Sequence, residues 1–180
     1  QHPEHRGPCT CEKEPIGFLI NKFYSNAKTL SWMSEEQKNY YISKFPNLEN
    51  SNNFILSSIF SREDLETIKE LSQEAQTVNM NSEILLLGSN SWVKGFDAAR
   101  EYCEERNIST KVVWGLSYKE SLILLAKHRG IVYLPNGFDT CPRWVIEAKL
   151  LDCKIVDNKY VQHRDEEWFK QSKNKIIKYL

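Results

Sequence analysis

The residues that could do chemistry here are two carboxylates and two cations on short loops that open helices. The segment Gly137-Phe138-Asp139-Thr140-Cys141-Pro142-Arg143-Trp144-Val145-Ile146-Glu147-Ala148-Lys149-Leu150-Leu151 follows an apolar run, Ile131 to Pro135, that reads as a buried strand. Pro142 suits the first position of a helix, where its missing N–H costs nothing. The segment therefore reads as strand, tight loop and helix, with backbone N–H groups at the loop able to hold an anion. Trp144, Val145, Ile146, Ala148, Leu150 and Leu151 are apolar, and Glu147 sits among them. A buried carboxylate is expensive unless something pairs with it. Arg143, one turn earlier, is one candidate partner, and a ligand hydroxyl is another.

A second loop, Gly88-Ser89-Asn90-Ser91-Trp92-Val93-Lys94-Gly95, also opens a helix. It has neither the Walker pattern nor GxGxxG. Small residues with a lysine at a helix start nevertheless suit diphosphate oxygens. A bound anion would relieve Lys94 of its unfavourable place on the helix dipole. Asp139 and Glu147 have seven residues between them, so a direct acid–base couple is not their natural use. They can instead grip two ends of an extended ligand whose phosphates lie at the helix start between them. The plainer alternative is a solvated Lys94, a turn aspartate and a Glu147 paired only with Arg143.

These groups must be positioned by a framework, and composition bounds it. The chain has 180 residues, of which 41% are hydrophobic and 27% charged, as in a globular domain. Its formal net charge is +0, which argues against a surface built for nucleic-acid phosphates or anionic lipid. No apolar stretch is long enough for an integral membrane segment, and no leader peptide is visible. Five cysteines at irregular spacings read as free thiols, which points to a cytoplasmic setting. His2, His5, Cys9 and Cys11 are a weak zinc candidate without the usual finger spacing; otherwise no metal is called for.

Residues 1–52 read as an N-terminal segment and residues 53–180 as the main domain, joined by the Asn-rich stretch 47–53. Thr29 to Met33 is a short strand candidate, and Ser34 to Gln37 a capping box that opens a helix to about Lys44. From Asn53 the pattern is regular. Strands are expected at 54–59, 83–87, 111–114, 131–134 and 154–157. Helices are expected from Ser61 to about Glu74, Lys94 to Arg106, Ser117 to about His128, Pro142 to Leu151 and Arg164 to Tyr179. Five strands alternating with helices predict an α/β fold, a doubly wound, Rossmann-like parallel sheet with helices on both faces. Ligands bind beyond the carboxyl ends of such strands. Those ends would carry Ser57-Ser58, Gly88-Ser89, Gly115-Leu116 and Asn136 to Thr140 on one rim. His128 and His163 read as helix-end residues.

Asp139-x7-Glu147-Ala148 resembles the E-x7-E region of the GT-B glycosyltransferases, with Asp139 in place of the first Glu. The strand order is similar to that family's C-terminal, donor-binding half over about residues 53 to 170. Lys94-Gly95 resembles its phosphate-binding K-G pair, and Gly115-Leu116-Ser117-Tyr118 its nucleotide-base segment. The resemblance implies a nucleotide-diphosphate sugar as donor, an unknown acceptor and a separate N-terminal GT-B half. It implies that Glu147 bonds ribose hydroxyls, that Lys94 pairs with the diphosphate helped by amides near Thr140 and Cys141, and that Asp139 contacts the sugar. Ser89, Gly95, Leu116 and Tyr118 complete the expected donor site.

The chain departs from that pattern in four places. The aspartate is one methylene shorter than the family's glutamate. Asp152 stands where the family often has glycine. Lys94-Gly95 follows the second expected strand, where the family usually has its pair after the first. No basic residue lies in 89–93 ahead of K-G, and Arg143 would supply that charge as a second diphosphate stabiliser. The competing expectation is a non-catalytic nucleotide- or sugar-phosphate-binding or scaffolding module of the same fold.

Overall fold

In a computed structural model of the chain, residues 11–75, 81–140 and 142–180 are described. His2, His5, Cys9 and Cys141 lie outside this set, as does the side chain of Cys11. The chain divides into two units after Ser57.

In the first unit α1 (Pro15–Ser25) leads to β1 (Thr29–Trp32), α2 (Glu35–Lys44) and β2 (Asn52–Ile55). The Ser34 hydroxyl accepts from the Gln37 N–H and so caps α2. The two strands pair in parallel, with Trp32 opposite Ile55. Leu30, Trp32 and Leu48 form a small core with Tyr24 and Tyr41 packed against it.

The strand expected at 54–59 is thus corrected. It is Asn52–Ile55 and belongs to this two-stranded pair. Trp32 Nε1 donates to Asn53 Oδ1 at 2.7 Å, and Leu56 N donates to the Trp32 carbonyl at 2.7 Å. Those bonds commit the segment to β1.

The second unit runs α3 (Arg62–Ala75), β3 (Asn81–Leu87), α4 (Phe96–Glu104), β4 (Thr110–Val113), α5 (Tyr118–Lys127), β5 (His128–Tyr133), α6 (Arg143–Leu150), β6 (Lys154–Asp157) and α7 (Lys173–Tyr179). Its sheet has four strands, not five, in the order β4-β3-β5-β6, all parallel. Both faces are covered. Leu85 and Ile131 join the core made with α3, α5 and α6, while Leu86 and Val132 pack with Ala99 and Cys103 of α4. Strands buried on both faces read as continuous apolar runs, which is why the central β3 and β5 are visible in the sequence.

Two helices are shorter than expected. Trp92–Lys94 is a 3-10 turn closed by Gly95 at φ 66°, so α4 starts only at Phe96 and Lys94 precedes it. The expected helix from Arg164 is confined to Lys173–Tyr179. The chain before it turns through i→i+3 bonds such as Glu166 N to His163 O, which lets Trp168 and Phe169 enter the core.

The chain leaves β3 for β4 on one side, then crosses to β5 on the other. The crevice between the carboxyl ends of β3 and β5 is where ligands bind in open sheets of this kind. Because β2 lies in another sheet, the Lys94-Gly95 loop follows the first strand of its own sheet.

Candidate binding site at the carboxyl ends of the strands

The loops after β3 and β5 are tied together by backbone. Asn136 N donates to the Val93 carbonyl at 3.0 Å and Asn136 Nδ2 to the Trp92 carbonyl at 2.9 Å. This holds Lys94 over the crevice, and its Nζ lies 2.8 Å from Asp139 Oδ2. The same oxygen accepts a hydrogen bond from the Tyr133 hydroxyl at the end of β5. Asp139 is itself fixed by its backbone, donating to the Tyr160 carbonyl at 2.9 Å and accepting from Gln162 N at 3.3 Å. Tyr133 and Asp139 are buried. Burial, reinforced by the Asp139 charge, pushes the Tyr133 phenol far above its ordinary range, so it remains a proton donor to the carboxylate.

A second cluster forms around Arg143 at the start of α6. Arg143 Nε lies 3.3 Å from Glu147 Oε1, and Nη2 lies 3.4 Å from Asp64 Oδ2 on α3. Nη2 also donates to the Tyr118 hydroxyl at 2.9 Å. The guanidinium carbon stands 4.4 Å from the Phe60 ring centroid and 5.0 Å from that of Tyr118. Such faces suit a planar cation. Glu147 is buried, and desolvation raises its pKa while Arg143 and the Tyr118 hydroxyl oppose the rise. Asp64 is pushed up by burial, but its bonds to Ser61 and its proximity to Arg143 outweigh this and leave it below the ordinary value. Burial, with Glu147 next, raises the Tyr118 phenol.

The structure thus brings Lys94 to Asp139 and Arg143 to Glu147 and Tyr118. Both groups belong to the carboxyl-end loops and helix starts of the sheet, and Tyr133, which bonds Asp139, packs edge-on against Trp144, the neighbour of Arg143, with ring centroids 6.3 Å apart. Asp139 and Glu147 belong to separate ion-pair clusters. Pro142 is the cap of α6 rather than its first residue. Ser89 Oγ accepts from Ser91 N at 3.1 Å and shapes its own loop. Thr140 is half-buried beside Asp139, and Leu116 is exposed beyond β4. Ser57-Ser58 do not end a strand of this sheet, so three strand-end segments, not four, share the rim.

Three participants were not picked out from the sequence: Phe60, Asp64 and Tyr133. The Ser61/Asp64 helix start is visible locally, but Asp64's second use joins it to Arg143 across 79 positions. Tyr133 reads only as strand. His163 is no helix-end residue. It is buried, its Nε2 lacks a partner, and its ring packs edge-on against Phe169 at 4.8 Å. Burial depresses its pKa to about 4, against the pull of Asp139. His128 does end α5, with Nδ1 2.8 Å from the Leu124 carbonyl oxygen.

Among the described residues no group of three or more His, Cys, Asp or Glu side chains could hold a metal ion. Among them, too, no helix is long and apolar enough to cross a membrane. Cavities of about 450 and 500 Å³ belong to the first unit, the larger lined by Tyr24, Trp32 and Tyr41 among others. They carry no ionised cluster, whereas the rim carries Lys94, Arg143 and three carboxylates. No protein-family model, no curated protein and no solved structure matches this chain.

Proposed function

We propose that residues 58–180 are the donor-binding half of a nucleotide-sugar glycosyltransferase. The Lys94–Asp139 ion pair carries this reading, because it sits at the crevice between β3 and β5 where the strand order reverses. Two further features support it. Lys94-Gly95 follows the first strand of its sheet, as the K-G pair usually does in the GT-B enzymes that the sequence resembles. Asp152, at the position where those enzymes often have glycine, adopts φ 61°, a conformation glycine takes most readily.

The donor's diphosphate draws the Lys94 ammonium from Asp139 and meets the backbone amides ahead of α6. Negative charge on the departing diphosphate is stabilised there by preorganised donors. Asp139, released from Lys94 but still held by Tyr133, accepts from a sugar hydroxyl. Glu147 accepts from the ribose hydroxyls. A second Rossmann-like half supplies the acceptor contacts.

Thermal unfolding with a panel of nucleoside diphosphates tests this, on wild type and Glu147→Ala. A ligand that binds only the native state raises the melting temperature. One base is expected to raise it, with the rise lost in the variant. No rise with any nucleotide overturns the reading. Turnover with the corresponding sugar donor separates an enzyme from a non-catalytic binding module.

A further inference from the structure

We infer that Arg143 is a positioning residue that holds Glu147 as an ionised acceptor for a ligand's vicinal hydroxyls, rather than a ligand of the diphosphate. This rests on the proposed nucleotide-sugar reading and reassigns one of its two cations. The geometry decides it. The guanidinium is bonded on its edge to Glu147, Asp64 and the Tyr118 hydroxyl, and its carbon lies over the Phe60 and Tyr118 rings, 4.4 and 5.0 Å from their centroids. These partners come from α3, α5 and α6 and from the segment ahead of α3, so turning the fork toward a phosphate would break contacts to all of them. Lys94, by contrast, is a single flexible ammonium with one carboxylate partner, free to exchange that partner for a phosphate.

The chemistry of Glu147 makes a fixed cation necessary. Its side chain is 5% exposed. A carboxyl desolvated to that degree tends to take up a proton. Protonated, it spends one oxygen as an O–H donor and keeps one good carbonyl acceptor; ionised, both oxygens accept, one from each hydroxyl, in the stronger charge-assisted form. Three charged or titratable groups face it: Arg143 on its own helix, Tyr118 on α5 and Asp64 on α3. Arg143 and the Tyr118 hydroxyl favour the ionised form and Asp64 opposes it. Desolvation supplies the main pull toward protonation, Arg143 opposes it, and Asp64, 3.4 Å from the guanidinium, weakens that opposition.

The test compares UDP and GDP with their 2′,3′-dideoxy counterparts, binding each to wild type, Arg143→Met, Arg143→Lys and Asp64→Asn across pH 5 to 8. Dideoxy ligands keep the diphosphate and remove the hydroxyls that Glu147 would hold. In Arg143→Met the ribonucleotide is expected to weaken about tenfold for each pKa unit by which Glu147 rises above the working pH. The dideoxy ligand should be unaffected. Arg143→Lys restores the charge and recovers ribonucleotide binding on the acid side. In Asp64→Asn ribonucleotide binding should persist to lower pH than in wild type.

Equal loss of both ligands in Arg143→Met, with an unshifted profile in Asp64→Asn, overturns the inference and makes Arg143 a phosphate ligand. Failure of wild type to bind any ribonucleoside diphosphate of the panel overturns the nucleotide-sugar reading itself, and this inference with it.

Discussion

A Cβ placed on Gly95 would stand 1.8 Å from the carbonyl oxygen of Leu134. The residue closes the 3-10 turn that carries Lys94, at φ 66°, and it does so hard against the backbone leaving β5. Two independent constraints therefore select glycine: a left-handed backbone and the absence of any side chain toward Leu134. The approach brings the Lys94 ammonium to Asp139.

Gly95→Ala is accordingly expected to destabilise the second unit by at least about 2 kcal/mol, the left-handed cost plus a backbone displacement. Urea unfolding reads this directly. A loss below half that size would mean that the loop does not rest on β5.

Tyr133 and Lys94 share one oxygen of Asp139 but are not equivalent. Tyr133 is buried, and Tyr133→Phe removes a hydrogen bond to a buried charge, a change worth about 1.5–3 kcal/mol. The Lys94 side chain is 33% exposed, so solvent screens its ion pair and Lys94→Met should cost less, about 1 kcal/mol or under. Denaturant unfolding of both variants should rank them in that order. The reverse order would show that the phenol is not Asp139's main anchor.

His163 gives the second unit a dependence on acid. Its folded pKa is about 4 because burial excludes the imidazolium, against an ordinary value of 6.5. Between those values the unfolded chain binds a proton that the native state refuses. The stability due to a neutral His163 is therefore complete above about pH 6.5 and lost as pH falls toward 4, by as much as about 3 kcal/mol. Glu147 and Asp157, both raised mainly by burial, slope the opposite way and are common to wild type and variant. The difference in unfolding free energy between His163→Leu and wild type should grow in the variant's favour from pH 7 to pH 4.5. A difference independent of pH would mean that folding leaves the His163 pKa unshifted.

Cys153 is buried under α5, its thiol 3.1 Å from the Leu125 carbonyl oxygen, and burial pushes its pKa to about 12. Cys103 is buried and raised for the same first reason. The thiolate is the reactive form, so both should resist a disulfide reagent at pH 8 in the native protein and react once urea unfolds it. Rapid native modification of Cys153, mapped by mass, would contradict its burial.

Local patterns in the sequence determine much of this chain. The apolar runs of β3 and β5 are legible because these two central strands are buried on both faces, and β4 and β6 are shorter apolar runs at the edges. The Ser117/Glu120 capping box forms as its spacing predicts, with both reciprocal bonds present. Asp139, Glu147, Lys94 and Arg143 stand out as charges beside apolar or glycine-rich runs.

Which strands share a sheet, and which charge meets which, is decided only by tertiary structure. Asn52–Ile55 has the composition to extend the larger sheet, yet pairs with β1 through the bond from Trp32 to Asn53, 21 positions away. Lys94 meets Asp139 across 45 positions and Arg143 meets Asp64 across 79. A helix or strand declares itself through neighbours a few residues away, whose spacing repeats along the chain. A charge declares its partner only after distant segments are packed, because attraction between ions has no period in sequence and is strong only where folding has removed the water.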